Sequence, residues 1–121
     1  MPADYHIDME LGIVFMRAWS RYTDDELLYL QQRVYADSAF DPTFRRLADL
    51  SQVEQLGVTI QGIRTMLSRS HWKVGARQAI VAPTDLAFGM ARMASNLRQL
   101  GEGMENTVFR TKDEAMSWLD S

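Results

Sequence analysis

The stretch Ala79–Met93 constrains the fold more than any other part of the chain. It begins with the apolar run Ala79–Ala82, which is typical of a strand buried on both faces of a sheet. Pro83 lacks an N–H and therefore ends the strand, and Thr84 or Asp85 can cap the helix that follows. The start of a helix at the carboxyl end of a strand is where open α/β sheets bind their ligands.

Two strands precede this stretch near the amino terminus. Apolar and polar residues alternate over residues 5–10, and Ile13–Trp19 is a second hydrophobic run. Leu11 and Gly12 form a turn between them, so the two strands are predicted to pair as an antiparallel hairpin.

The remaining elements alternate between helix and strand. Capping boxes at Thr23–Glu26 and Thr111–Glu114 predict the starts of the first and last helices. Arg46–Leu50 is predicted to be the third strand, followed by a loop through Gly57 and a helix capped by Thr59. The stretch Ala79–Met93 adds a strand and a helix, and a short strand follows near the carboxyl terminus. The predicted order of elements is therefore ββαβαβαβα.

This order predicts an α/β fold. We expect one domain over residues 1–121, with a single mixed sheet of about five strands and four helices. Strands that alternate with helices pair in parallel through right-handed crossovers, so only the amino-terminal hairpin should be antiparallel.

Composition excludes several classes of function. The chain has no cysteine, which excludes disulfides, thiolate catalysis and cysteine zinc sites. Its net charge of −3 argues against a general nucleic-acid binder. Neither a signal peptide nor an apolar run long enough to span a membrane is recognisable. We therefore expect a cytoplasmic protein.

Five segments carry a resemblance to a known family: Ala79–Met93, Val108–Arg110, Asp113–Leu119, Asp49–Val53 and Phe40–Pro42. Together they resemble the SpoIIAA-like family, a STAS-related group of small bacterial proteins that is also linked in fold to CRAL-TRIO lipid-binding domains. The resemblance covers nearly the whole chain.

The resemblance implies a sheet of about five strands with helices wound around it, and no catalytic machinery. STAS antagonists of anti-sigma factors carry Asp-Ser-Ser-Gly at the start of the helix after the third strand, with the second serine phosphorylated. The equivalent segment here is Gly57–Ile60, which lacks that aspartate and glycine. Thr59 stands where the phosphorylated serine would lie. The resemblance also implies a module that binds apolar ligands or associates with membranes.

The stretch Ala79–Met93 contains candidate ligand-binding residues. Thr84 and Asp85 stand at a helix start, and Phe88 could form an apolar wall beside them. The alternative is a plain helix cap and a core aromatic residue. Met66 and Met90 lie on the apolar faces of two helices, where methionine either fills the core or adapts to a flexible ligand. A ligand pocket between the second and third helices is therefore one hypothesis.

A cationic segment suggests a second site. Arg69, Trp72 and Lys73 lie between Gln55 and Thr84, a region without any acidic residue. A tryptophan flanked by cations suits the surface of an anionic membrane. The alternative is a loop whose tryptophan packs on the core while its charges face solvent.

No motif indicates an enzyme. A Ser/His/Asp order, a phosphate loop and a dinucleotide fingerprint are all missing, and His6 and His71 do not build a metal site. We expect a non-enzymatic domain without a cofactor, either a monomer or a homodimer. It would bind a lipid-like small molecule or a membrane surface, or act as a partner switch that binds another protein through Thr59.

Overall fold

The computed structural model contains the predicted elements in the predicted order. It describes the backbone of residues 2–101 and 105–121, and the side chains of that range except Leu86, Met90, Ala94 and residues 97–101. The strands are β1 (Ala3–Asp8), β2 (Ile13–Thr23), β3 (Arg45–Gly57), β4 (Arg77–Val81) and β5 (Glu105–Phe109), and the helices are α1 (Asp24–Ala36), α2 (Ile60–Ser68), α3 (Asp85–Gly101) and α4 (Lys112–Leu119).

The five strands form one sheet in the order β1-β2-β3-β4-β5, so each strand lies beside its neighbours in sequence. β1 and β2 pair antiparallel, whereas the later pairs are all parallel. The predicted fold class, a mixed α/β sheet with an amino-terminal antiparallel hairpin, is confirmed.

This strand order determines which face each helix covers. Right-handed crossovers that all step in one direction along a sheet place their helices on the same face. The larger core cluster accordingly contains Leu27 and Leu30 of α1, Met66 of α2 and Ala91 of α3. The helix α4 follows the last strand and covers the opposite face, where its Leu119 belongs to the smaller cluster.

The third strand is longer than the sequence predicts. The prediction that it ends at Leu50 and gives way to a loop was wrong, because β3 continues to Gly57. Polar residues fill much of this continuation, which made it read as a loop. It is held by the second half of β2, since Trp19 pairs with Gln52 and Thr23 pairs with Gly57.

Candidate functional site

A cavity of about 150 Å³ lies between the sheet and the three helices α1, α2 and α3. Among the residues whose side chains are described, its walls are apolar except at Tyr22, Arg46 and Gln78. The sheet forms the floor of the cavity. Its lining residues follow from the local sequence, because alternate residues of a strand point to the same face. Arg46, Ala48 and Leu50 alternate in this way along β3, and Gln78 does so with Ile80 on β4.

The strand register aligns these floor residues. Arg46 pairs with Gln78, and Ala48 lies between Met16 of β2 and Ile80 of β4. Ala48 therefore occupies the middle of the floor. Its small side chain leaves space there that a larger residue would fill.

The helices form the roof and the opening. Leu27 of α1, Ile63 of α2 and Ala91 of α3 line the cavity and are buried. Ile60 and Met93 also line it, yet they are 51% and 64% exposed. A residue that both faces a cavity and contacts solvent borders its entrance, so the cavity opens between α2 and α3.

Arg46 is the charged residue among the described side chains of the cavity wall. Its Nη1 lies 3.3 Å from Oε1 of Gln78, and its Nε lies 3.0 Å from Sδ of Met16, which Nη2 also contacts. Burial lowers the pKa of the Arg46 guanidinium, and the nearby phenols of Tyr22 and Tyr35 counter that shift. An arginine nevertheless stays protonated in a protein, so the cavity wall carries a positive charge.

No carboxylate compensates this charge within the described residues. None of the ion pairs found in residues 2–101 and 105–121 includes Arg46. Its contacts are a neutral amide oxygen and a thioether sulfur, which are weaker partners for a guanidinium than a carboxylate.

Arg46 was not among the site residues predicted from the sequence. The sequence contained a signal for it, because Arg46 is spaced by two residues from Ala48 and by four from Leu50. This spacing places a cation on the apolar face of a strand. A charge at an inward-facing position is rare unless it is paired or functional. Gln78 carries a weaker signal of the same kind, since it is a polar residue within the buried strand β4.

The predicted residues at the start of α3 lie away from the cavity. Thr84 Oγ1 accepts a hydrogen bond from the N–H of Ala87 at 3.1 Å, and the exposed carboxylate of Asp85 lies 2.7 Å from Nη1 of Arg110. Phe88 packs against the core, with the Arg110 guanidinium 4.2 Å from its ring centre. Thr84, Asp85 and Phe88 thus have structural contacts, and none of them lines the cavity.

Of the two predicted methionines, the side chain of Met66 alone is among the described residues. Met66 is buried in the core cluster of the cavity face but does not line the cavity. The Met90 side chain lies outside the described residues. Met93, on the same helix, borders the opening.

The predicted cationic segment follows α2. The side chains of Arg69 and Lys73 are exposed, and the backbone N–H of Lys73 donates to the carbonyl of Pro42 at 2.9 Å. Trp72 is half-buried and meets the ring of Phe40 edge to face at 4.9 Å. The two charges therefore face solvent, while the tryptophan packs on the protein.

Thr59 caps α2 and contacts the first residue of α1. Its Oγ1 accepts a hydrogen bond from the N–H of Gly62 at 3.0 Å. Its own N–H and hydroxyl donate to the two carboxylate oxygens of Asp24, at 2.8 and 2.5 Å. The predicted phosphorylation site is exposed, and its hydroxyl is held by a carboxylate.

Neither a metal-binding group nor a helix that could span a membrane is found in the described part of the chain. Among its residues, no three His, Cys, Asp or Glu side chains are grouped closely enough to hold a metal ion. None of its helices combines the length and apolar character that crossing a membrane requires.

Comparison with known proteins identifies the fold. No protein-family model matches the chain, and neither does any curated protein. The solved structures that match include an uncharacterized protein of the DUF3478 family from Shewanella loihica PV-4, which has a SpoIIAA-like fold. The match has a TM-score of 0.63 and 18% sequence identity, and it covers 97% of this chain and 93% of the other. The chain therefore has a SpoIIAA-like fold.

Proposed function

We propose that this protein is a non-enzymatic binding domain that takes an apolar or amphipathic small molecule into the cavity beneath α2 and α3. The observation that supports this proposal is an apolar cavity that opens to solvent between Ile60 and Met93. An apolar ligand that enters such a cavity gains about 25 cal/mol for each Å² of apolar surface removed from water.

The volume indicates the size of the ligand. An engineered cavity of about 150 Å³ binds a molecule the size of benzene. A single ring, or a chain of about six to eight carbons, is thus a suitable probe for the enclosed space. A longer chain would extend through the opening.

The test is a thermal-shift titration with 1-octanol. Filling the cavity with Ala48→Leu should abolish binding, because Ala48 lies at the middle of the floor. Ala36→Leu, at an exposed position of α1, adds the same side chain outside the cavity. Octanol should stabilise the wild type and Ala36→Leu by about 2.7 kcal/mol at a concentration one hundred times its Kd. An equal shift in Ala48→Leu, or no shift in the wild type, would contradict the proposal.

The proposal extends to a membrane surface through the cationic segment. The exposed side chains of Arg69 and Lys73 support it, because each cation near an anionic surface contributes about 1 kcal/mol. Flotation with phosphatidylserine vesicles at low salt should recover the wild type, and Arg69→Gln combined with Lys73→Gln should reduce recovery. Arg64→Gln, an exposed site on α2, is the control. Equal recovery with uncharged vesicles would count against an electrostatic contact.

A partner switch is the second candidate function, and the position of Thr59 favours it. A phosphate on its hydroxyl would stand beside the Asp24 carboxylate, because the two groups are now 2.5 Å apart. Like charges repel, so phosphorylation would separate the starts of α1 and α2. Intact-mass analysis of protein from its own cells should show a phosphorylated form that Thr59→Ala lacks. Unmodified protein under all growth conditions would argue against this function.

A further inference from the structure

The cavity contains a cation where apolar side chains would suffice. Arg46 occupies a floor position in line with Ala48 and Leu50, and its side-chain hydrogen-bond partners among the described residues are Gln78 and Met16. Taking a charge out of water is costly unless an opposite charge compensates it. A chain that needed only a packed core would place an aliphatic residue there.

The guanidinium has hydrogen-bonding capacity left over. An arginine has five N–H donors, of which Nη1 and Nη2 carry two each. The contacts with Gln78 and Met16 occupy the N–H of Nε and one N–H on each of Nη1 and Nη2. Among the described residues, one N–H on each Nη atom therefore has no acceptor, and guanidinium N–H groups are strong donors to a carboxylate.

We propose that the ligand is an apolar carboxylate, such as a medium-chain fatty acid, and that Arg46 binds its carboxylate group within the cavity. This inference rests on the proposed function and specifies its ligand. The apolar tail would lie against Ala48, Leu50 and Ile80 and extend towards the opening at Ile60 and Met93.

Charge balance favours a carboxylate over a phosphate. A phosphate monoester carries a charge of about −1.5 to −2 at neutral pH, whereas a carboxylate carries a single negative charge. Arg46 is the one cation among the described residues that line the cavity. A monoanion leaves no net charge in the apolar site, and a dianion would leave an excess negative charge that is costly to bury.

The experiment compares three probes of equal chain length by isothermal titration calorimetry: octanoate, 1-octanol and octylammonium. A hydrogen-bonded charge pair should make octanoate bind the wild type about tenfold to hundredfold more tightly than octanol. Octylammonium should bind most weakly. Arg46→Met should reduce the affinity for octanoate to that for octanol or below, and Arg64→Met, at an exposed position of α2, should change neither affinity.

The outcomes separate this inference from the function on which it depends. If octanol binds but octanoate binds no more tightly, the cavity is a ligand site and the carboxylate inference is wrong. If neither probe binds, the proposed function itself fails. Octanoate should also shift the NMR signal of the Arg46 Nε–H in the wild type, while octanol leaves it nearly in place. This measurement decides the question even if Arg46→Met does not fold.

Discussion

The carboxylate of Asp24 accepts two hydrogen bonds from Thr59, one from the backbone N–H at 2.8 Å and one from the hydroxyl at 2.5 Å. Asp24 is the first residue of α1, and Thr59 caps α2. The pair therefore fixes how the starts of two neighbouring helices meet. Both helices contribute to the cavity wall, so this contact supports the candidate site.

Asp24→Ala should lower the free energy of unfolding by about 1–3 kcal/mol, because hydrogen bonds to a charged group are among the stronger ones. Asp25→Ala is the matched control, since it removes an exposed acidic residue from the same helical turn. The control should lose only the helix-dipole contribution of about 0.3–1 kcal/mol. Urea denaturation measures both values, and equal losses would show that the contact with Thr59 contributes nothing.

Gly62→Ala should destabilise the wild type although alanine favours helix. A Cβ at this position would overlap with the carboxylate of Asp24, so that carboxylate would have to leave Thr59. In the Asp24→Ala background the obstructing carboxyl group is gone, and Gly62→Ala should then stabilise by about 0.5–1 kcal/mol. The four variants form a double-mutant cycle in urea. The same sign of effect in both backgrounds would contradict this account.

The two faces of the sheet should respond differently to added volume. Ala48→Leu places its new atoms in the cavity and should change the free energy of unfolding by less than about 1 kcal/mol. Ala79→Leu, at a fully buried position of the opposite face beneath α4, should cost about 1–3 kcal/mol through overpacking. Chemical denaturation of both variants is the measurement. Comparable losses would mean that the space above Ala48 is not available to a side chain.

Asp37 should make stability depend on pH in the acid range. Hydrogen bonds from the N–H of Ala39 and then from the hydroxyl of Tyr5 hold the pKa of Asp37 below its usual value. The unfolded chain then takes up a proton first as pH falls. This stabilisation is therefore complete well above the unfolded carboxyl pKa of about 4 and is lost as pH falls towards the lower pKa of the folded state. The melting temperature of the wild type should therefore fall between pH 5 and pH 3, and that of Asp37→Asn should fall by less.

Tyr5→Phe should have a smaller effect than Asp37→Asn. It keeps the Asp37 carboxylate and its hydrogen bond from the Ala39 N–H but removes the hydroxyl donor. Its acid loss should lie between those of the wild type and Asp37→Asn. Asp4 and Asp41 also have lowered pKa values, so some acid sensitivity should persist in both variants. An unchanged acid slope in Asp37→Asn would contradict the assignment.

Local signals made much of the fold predictable. The caps at Thr59 and Thr111 precede helices as predicted, and their hydroxyls accept N–H bonds from the first turns. The end of β3 was predicted wrongly because residues 51–55 are mostly polar and their partners come from another strand. A polar strand that is held by pairing has no hydrophobic pattern to reveal it.

The site was less predictable because it depends on residues far apart in sequence. Arg46 meets Met16 and Gln78, which are 30 and 32 residues away along the chain. Asp24 and Thr59 are separated by 35 residues. Such contacts follow from strand register and helix packing, which a single sequence does not specify. The predicted residues Thr84 and Asp85 were easier to notice because their signal, a helix start after a strand, is local.

The sequential order of the strands also bears on how the protein assembles during synthesis. Each strand after β1 joins a neighbour that has already been made, so none has to insert between two strands already paired. A chain that emerges amino terminus first can therefore extend its sheet one strand at a time along a single growing edge. The face that contains Leu47 and Val81 waits for α4, because this last helix covers it. That apolar surface cannot close before residues 112–119 have been made, so we expect a nascent chain that stalls before residue 112 to leave it open to aggregation or chaperone binding.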